Sequence, residues 1–125
     1  MNHKQPIRPA IYVRASSKGP VGTGAIASQV DALRARIRQD DLVLEGCFCF
    51  IDEGASGISS HRPALDRLRD QVAMGAVDRI YVHSPDRLAW NRDDYVLIID
   101  DFQHFGIEII FIDQALKGGP VEKPL

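Results

Sequence analysis

The 125 residues suffice for one domain with a single real core. With 45% hydrophobic and 26% charged residues the composition is that of an ordinary soluble globular protein, and no apolar run approaches membrane-spanning length. A formal net charge of −2 argues against a protein that grips nucleic acid mainly by neutralising phosphates, so any such contact has to be local.

Met1 to Pro9 reads as a polar, disordered tail with no signal-peptide pattern. The first apolar run, Ala10–Val13, reads as a strand that ends by delivering Arg14 and Ser16. Residues two apart on a strand share a face, so Tyr12, Arg14 and Ser16 point the same way. A short strand with solvated polar ends accounts for that segment taken alone. Lys18–Gly24 is glycine-rich and lacks the Gly-Lys-Ser/Thr end of a phosphate-binding loop, so it reads as a flexible connection. Ile26, Val30, Leu33 and Ile37 then repeat at helical spacing.

The second strand is expected over Val43–Ile51. It contains Cys47 and Cys49, which would share a face as buried, reduced thiols and lack the further ligands of a zinc site. Asp52–Arg62 is rich in small residues and reads as a mobile loop. Leu65, Leu68 and Val72 mark a second helix, with Pro63 in its first turn and Gly75 at its end. Arg79–Val82 reads as a third strand leading into His83-Ser84-Pro85-Asp86-Arg87. Tyr95, Ile98, Ile99, Phe102 and Phe105 form an apolar helical stripe closed by Gly106, followed by a fourth strand over Ile107–Ile112. Residues 117–125 read as a truncated tail with no buried element.

Strand–helix alternation predicts an α/β fold: a mainly parallel sheet of four to five strands with helices on both faces. Ligands bind such sheets outside the carboxyl ends of the strands. Those ends deliver Arg14 and Ser16, then Asp52 and Glu53, then Ser84 to Arg87, then Asp113 and Gln114, with Arg62 able to join from the loop. Each member has a plain structural account: a solvated arginine, Asp86 as a helix N-cap, His83 as an inward-facing structural histidine. Together they form a serine with several arginines, a set suited to phosphoryl transfer by electrostatic stabilisation. The planar guanidinium fork matches phosphate oxygens, and a serine hydroxyl attacks only when its surroundings stabilise the product.

Five motifs in order carry a family resemblance: Tyr12-Val-Arg14-Ala-Ser16, Ser28-Gln29-Val-Asp-Ala-Leu33, Phe50-Ile-Asp52-Glu-Gly-Ala-Ser56-Gly57, His61-Arg62-Pro63-Ala-Leu65 and Ser84-Pro85-Asp86-Arg87-Leu88. Over residues 10–116 the chain resembles the resolvase-type catalytic domain of serine recombinases, in a form closer to the transposon-associated and large members. The resemblance implies site-specific recombination of double-stranded DNA. Ser16 would attack a phosphodiester to give a 5′-phosphoserine link and a free 3′-hydroxyl, with no metal or other cofactor. It implies Arg14, Arg62 and Arg87 on the scissile phosphate, Gln29, Asp52 and Asp86 positioning those groups, and Tyr12 beside them. It further implies self-association, as a dimer and as a synaptic tetramer in the full-length form, and a cytoplasmic, nucleoid-associated protein with no membrane partner.

Two departures stand against the family pattern. Trp90 occupies the place of a further active-site arginine, and Arg92, two residues on, falls on a different helical face. The family's long helix and DNA-binding domain do not follow within these residues. These departures motivate one alternative, a catalytically impaired or regulatory recombinase fragment. A flavodoxin-like receiver or interaction module is a second, but it would want an acidic pair after the first strand, where this chain has Arg14-Ala15-Ser16.

Overall fold

The computed structural model describes residues 7–15, 19–53, 63–88 and 92–113, with side chains at all of these except 15, 19–25, 53, 86 and 87. In chain order the elements are β1 (Pro9–Ala15), α1 (Gly19–Gln39), a single 3₁₀ turn at Gly46–Phe48, β2 (Cys49–Glu53), α2 (Pro63–Ala73), β3 (Arg79–Val82), α3 (Pro85–Leu88), α4 (Arg92–His104) and β4 (Glu108–Phe111).

The four strands form one parallel sheet in the order β2-β1-β3-β4. A parallel sheet needs both faces covered, and the central strand is accordingly apolar on both. From β1, Ile11 and Val13 join Leu33 and Ile37 of α1 and Tyr81 of β3 on one face. Ala10 and Tyr12 enter a larger cluster on the other, with Leu65, Leu68 and Val72 of α2, Leu88 of α3, and Ile98 and Phe102 of α4. Each buried leucine, isoleucine, valine or phenylalanine side chain among these contributes about 1.5–3 kcal/mol by leaving water.

Three helices end in the same way. After α2, the amide of Ala76 donates to Gln71 and that of Gly75 to Val72. After α4, Ile107 donates to Phe102 and Gly106 to Gln103. After α1, Leu42 donates to Ile37 and Asp41 to Arg38. This paired 6→1 and 5→2 pattern is the Schellman motif, which requires a left-handed residue at its turn. Gly75 (φ 77°) and Gly106 (φ 75°) supply it without strain, whereas Asp41 (φ 61°) supplies it with a Cβ in place.

Four sequence expectations are corrected. β2 starts at Cys49, not Val43, and Val43 is 77% exposed. In the β1–β2 register Ile11 faces Cys49, so residue 47 would face Pro9, which has no N–H to give the ladder. Cys47 therefore lies exposed in the 3₁₀ turn and Cys49 is half-buried, so the two are neither buried together nor on one strand face. The backbone read as a flexible glycine-rich loop is helical from Gly19. Pro20 suits a first turn, and Gly22 and Gly24 each weaken the helix by only about 0.5–1 kcal/mol relative to alanine. The apolar stripe of α4 stops at Phe102. Phe105 lies past the helix in the Schellman turn, 47% exposed, with the His104 ring edge-on at 5.3 Å.

The amino end of β1 is also tied down. Pro9 is its first residue, although the sequence places it in a tail, and Arg8 donates to both carboxylate oxygens of Asp78. Among the described residues no helix is long and apolar enough to cross a membrane.

Candidate active site

The strand order reverses at β1. The connection through α1 leads outward to β2, and the chain then returns past β1 to β3 and β4. Helices leaving the two sides of such a reversal lie on opposite faces, which opens a crevice at the carboxyl ends of the two strands between them. Here those strands are β1, which runs into Arg14-Ala15-Ser16, and β3, which runs into Ser84 and α3.

Asp52 accepts three hydrogen bonds at this rim. It is 5% exposed near the end of β2, directly across the ladder from Arg14. Its Oδ2 accepts from the Tyr12 hydroxyl at 2.9 Å and from the Leu65 amide at 3.1 Å, and its Oδ1 accepts from the Ala64 amide at 2.8 Å. Tyr12 is fully buried. Asp52 is thus a fixed residue of the strand, whereas the sequence suggests the first residue of a mobile loop. It caps α2 from outside that helix, since Ala64 and Leu65 carry amides of the first turn that lack intrahelical partners. Its negative charge also suits the positive end of the helix.

Gln29 is 5% exposed on α1, and neither its amide nitrogen nor its amide oxygen has a hydrogen-bond partner among the described residues. A buried amide left in this state costs about 1–3 kcal/mol. Arg14 is half-buried in β1.

Ser84 is buried and stands immediately before α3, so it, not Asp86, takes the N-cap position. Asp86 and Arg87 lie within α3, whose Leu88 is buried against β1 and β3. His83 is half-buried, and its carbonyl accepts the amide of Asp113 at 2.8 Å. Arg92 is exposed at the first position of α4. Ser16, Arg62, Trp90 and Gln114 lie outside the described residues.

Of the residues expected at the site, Tyr12 and Asp52 are in direct contact and Arg14 is the ladder partner of Asp52. Gln29 is buried on α1, the helix that covers the opposite face of the sheet. Sequence reasoning misses the capping role of Asp52. The available signal is that α2 is preceded by Arg62, whose side chain has donors only and cannot cap it.

The chain belongs to the family described as "Resolvase, N terminal domain", whose model matches residues 9–123. A relative from Bacillus subtilis (strain 168), "Putative DNA recombinase", is 31% identical over 112 residues, covering 89% of this chain and 21% of that protein. "Transposon Tn501 resolvase" of Pseudomonas aeruginosa is 35% identical over 71 residues, covering 57% of this chain and 37% of its own length. The chain thus spans only about a fifth to two-fifths of the length of these relatives. The solved N-terminal catalytic domain of TP901-1 integrase superposes with a TM-score of 0.72 at 27% identity, covering 86% of this chain and 78% of that one. A resolvase family site-specific recombinase from Streptococcus pneumoniae shares the fold, with a TM-score of 0.75 at 21% identity over 86% of this chain and 73% of its own.

Proposed function

We propose that this chain is the catalytic domain of a site-specific DNA recombinase in which Ser16 attacks a phosphodiester. The observation that supports this reading is the reversal of strand order between β1 and β3, because one of those strands ends in Arg14-Ala15, just before Ser16 in the sequence, and Ser84 to Arg87 follows the other. In the proposed step the Ser16 oxygen forms a bond to phosphorus and the bond from phosphorus to the 3′ oxygen breaks. The serine proton is lost and the departing oxygen gains one, giving a 5′-phosphoserine and a free 3′-hydroxyl. One phosphodiester replaces another, so the step runs without a cofactor and reverses on rejoining.

Arg14, Arg62 and Arg87 hold the non-bridging oxygens, whose charge grows in the transition state. Gln29, Asp52 and Asp86 position these groups. The orphaned amide of Gln29 fits such a role, since a bound phosphate or the nucleophile would satisfy it. The net charge of −2 leaves most of the DNA grip to other parts of a full-length protein, acting as a dimer and as a tetramer at synapsis in the nucleoid. A second reading, an impaired or regulatory domain that still pairs with recombinase subunits, rests on Trp90 in the place of a phosphate-binding arginine.

The decisive experiment needs no knowledge of the DNA site. The gene product carrying this domain is expressed with an affinity tag, covalent protein–DNA adducts are recovered under denaturing conditions, and the modified peptide is mapped by mass spectrometry. Modification at Ser16, lost in Ser16→Ala, supports the reading. An adduct at Ser17, or one that survives Ser16→Ala, overturns the assignment, and absence of any adduct favours the impaired domain.

A further inference from the structure

We infer that the turn ending α1 is a conformational latch: the Asp40 carboxylate, bound to β3, holds the strained backbone at Asp41 closed, and its release opens the end of α1 and the connection to β2 while the equivalent turns after α2 and α4 stay shut. This goes beyond the recombinase reading and stands without it.

The three Schellman turns align residue by residue: Asp40-Asp41-Leu42 after α1, Met74-Gly75-Ala76 after α2 and Phe105-Gly106-Ile107 after α4. At the central position Gly75 and Gly106 take φ values of 77° and 75°, which glycine adopts freely. Asp41 takes φ 61° with a Cβ in place, so its turn is the one of the three that local backbone preference disfavours.

The preceding position differs in the opposite sense. Met74 and Phe105 are exposed apolar side chains there. Asp40 instead accepts the Tyr81 hydroxyl at 2.5 Å and the Arg36 guanidinium at 3.3 Å, with Arg79 at 3.8 Å. Tyr81 is fully buried, and Arg79 is held from its far side by Glu108 of β4 at 2.9 Å. The turn with the poorest local conformation thus has a polar anchor in the sheet that an apolar side chain cannot make. Backbone strain persists only where the surroundings over-determine it.

The latch closes over apolar surface. The Leu42 amide donates to Ile37, and Leu42 and Leu44 pack against the cluster of Ile11, Val13, Leu33, Ile37 and Tyr81. Release of Asp40 leaves the strain at Asp41 uncompensated and lets residues 40–44 lift from that face. The carboxylate holds only when ionised. The Tyr81 hydroxyl, then Arg36 and Arg79, keep its pKa below the ordinary value, so the latch is closed at neutral pH and opens as pH falls through that lowered value.

Native-state amide exchange of the purified chain, read by NMR as protection factors, tests this. Asp40→Ala should accelerate exchange at Leu42 about tenfold, with Ala76 and Ile107 unchanged. Tyr81→Phe should accelerate Leu42 about fivefold alone and hardly at all when Asp40 is already alanine, as expected for two groups sharing one contact. Asp41→Gly should slow exchange at Leu42 about threefold by removing the strain. Protection at Leu42 should fall below about pH 4 in the wild type and show no such fall in Asp40→Ala.

Unchanged exchange at Leu42 in Asp40→Ala overturns the latch. Equal acceleration at Ala76 and Ile107 also overturns it, since the carboxylate would then serve the whole fold. An equal effect of Tyr81→Phe in both backgrounds breaks the link from Tyr81 to Asp40. If Asp40→Ala does not fold, Tyr81→Phe carries the test: adding Asp41→Gly should restore most of the protection lost at Leu42, and no restoration overturns the role of strain.

Discussion

The hydroxyl of Tyr81 donates to the carboxylate of Asp40 at 2.5 Å, joining the third residue of β3 to the turn that ends α1. Arg79 donates to the same hydroxyl at 3.0 Å and to Glu108 of β4 at 2.9 Å, and Arg36 reaches Asp40 at 3.3 Å. With the Arg8–Asp78 pair, these groups gather toward the amino ends of β1, β3 and β4. The candidate active site uses the carboxyl ends. Stabilising ion pairs and candidate chemistry therefore occupy opposite rims of one sheet, and changes at the amino rim should alter stability and leave DNA cleavage alone.

Acid should weaken the fold through that rim. The Tyr81 hydroxyl, and then Arg36 and Arg79, hold the Asp40 carboxyl below its ordinary value, and the Arg8 guanidinium does the same for Asp78. A carboxyl whose pKa is lowered by folding adds stability that is complete above its unfolded pKa, about 4, and fades as pH falls toward the folded value. Urea midpoints should accordingly be flat from neutrality to about pH 5 and decline below about pH 4. Asp40→Asn and Asp78→Asn should each flatten that decline. A decline as steep as in the wild type in both variants would assign the acid sensitivity to other groups.

Tyr81→Phe should lower unfolding free energy by about 0.5–1.5 kcal/mol, the net worth of the hydrogen bonds lost at a buried hydroxyl. The ring keeps its packing beside Ile11 and Leu33, so the denaturant slope should not change. Equilibrium urea unfolding monitored by circular dichroism checks both quantities. A loss above about 3 kcal/mol would mean that loss of packing around the ring, and not the bonds themselves, dominates.

Asp41 offers a gain. Its φ of 61° places a Cβ in the left-handed region that Gly75 and Gly106 occupy freely in the equivalent turns after α2 and α4. Asp41→Gly should stabilise by about 0.5–1 kcal/mol, the left-handed penalty of about 1–2 kcal/mol less the extra chain entropy of glycine. The converse changes, Gly75→Ala and Gly106→Ala, should destabilise by about 1–2 kcal/mol from the backbone alone, because an added Cβ at either position meets nothing within 4 Å. Thermal melts of the three variants check the signs, and stabilisation by either alanine would remove the strain argument.

Much of this architecture is legible in the chain itself. Arg79–Val82 is a compact β-branched and aromatic run bounded by polar residues, and it forms a strand over those same residues. Pro63 and Gly75 bracket α2 because their backbone restrictions act locally. Val43–Phe48 misleads because apolar content alone does not create a ladder partner, and Pro9 leaves none opposite residue 47. At the site, Tyr12, Arg14 and Asp52 follow from strand ends. The contact from Asp52 to Ala64 does not, because it depends on how α2 packs against β2, which no local pattern encodes. The orphaned amide of Gln29 is equally hidden, since its position on α1 differs little from that of the core residues around it.

On its own the chain should bind duplex DNA weakly. With a net charge of −2 it has little phosphate neutralisation to offer, and non-specific binding at physiological salt should be no tighter than about 10⁻⁶–10⁻⁴ M. Fluorescence anisotropy with a labelled duplex at two salt concentrations measures both affinity and slope. A nanomolar dissociation constant at physiological salt would show that the described surface carries a DNA-binding face that its charge does not suggest.

Trp90 separates the active reading from the impaired one. In the family pattern an arginine stands at this place, shortly after Asp86-Arg87-Leu88, and an indole has neither its charge nor its paired donors. Loss of one group that stabilises developing charge slows the chemical step by about 10²–10³, or roughly 3–4 kcal/mol. If the rest of the site is intact, Trp90→Arg in the gene product should raise the rate of Ser16 adduct formation by about that factor, with DNA affinity little altered, because the new contact is made chiefly in the transition state. Arg92 is exposed at the start of α4 and is the other candidate for the role. An unchanged rate in Trp90→Arg together with a lost adduct in Arg92→Ala would assign the contact to Arg92. Unfolding of Trp90→Arg in a thermal melt would instead make Trp90 a packing residue, and the missing charge would then have to be sought elsewhere on the rim.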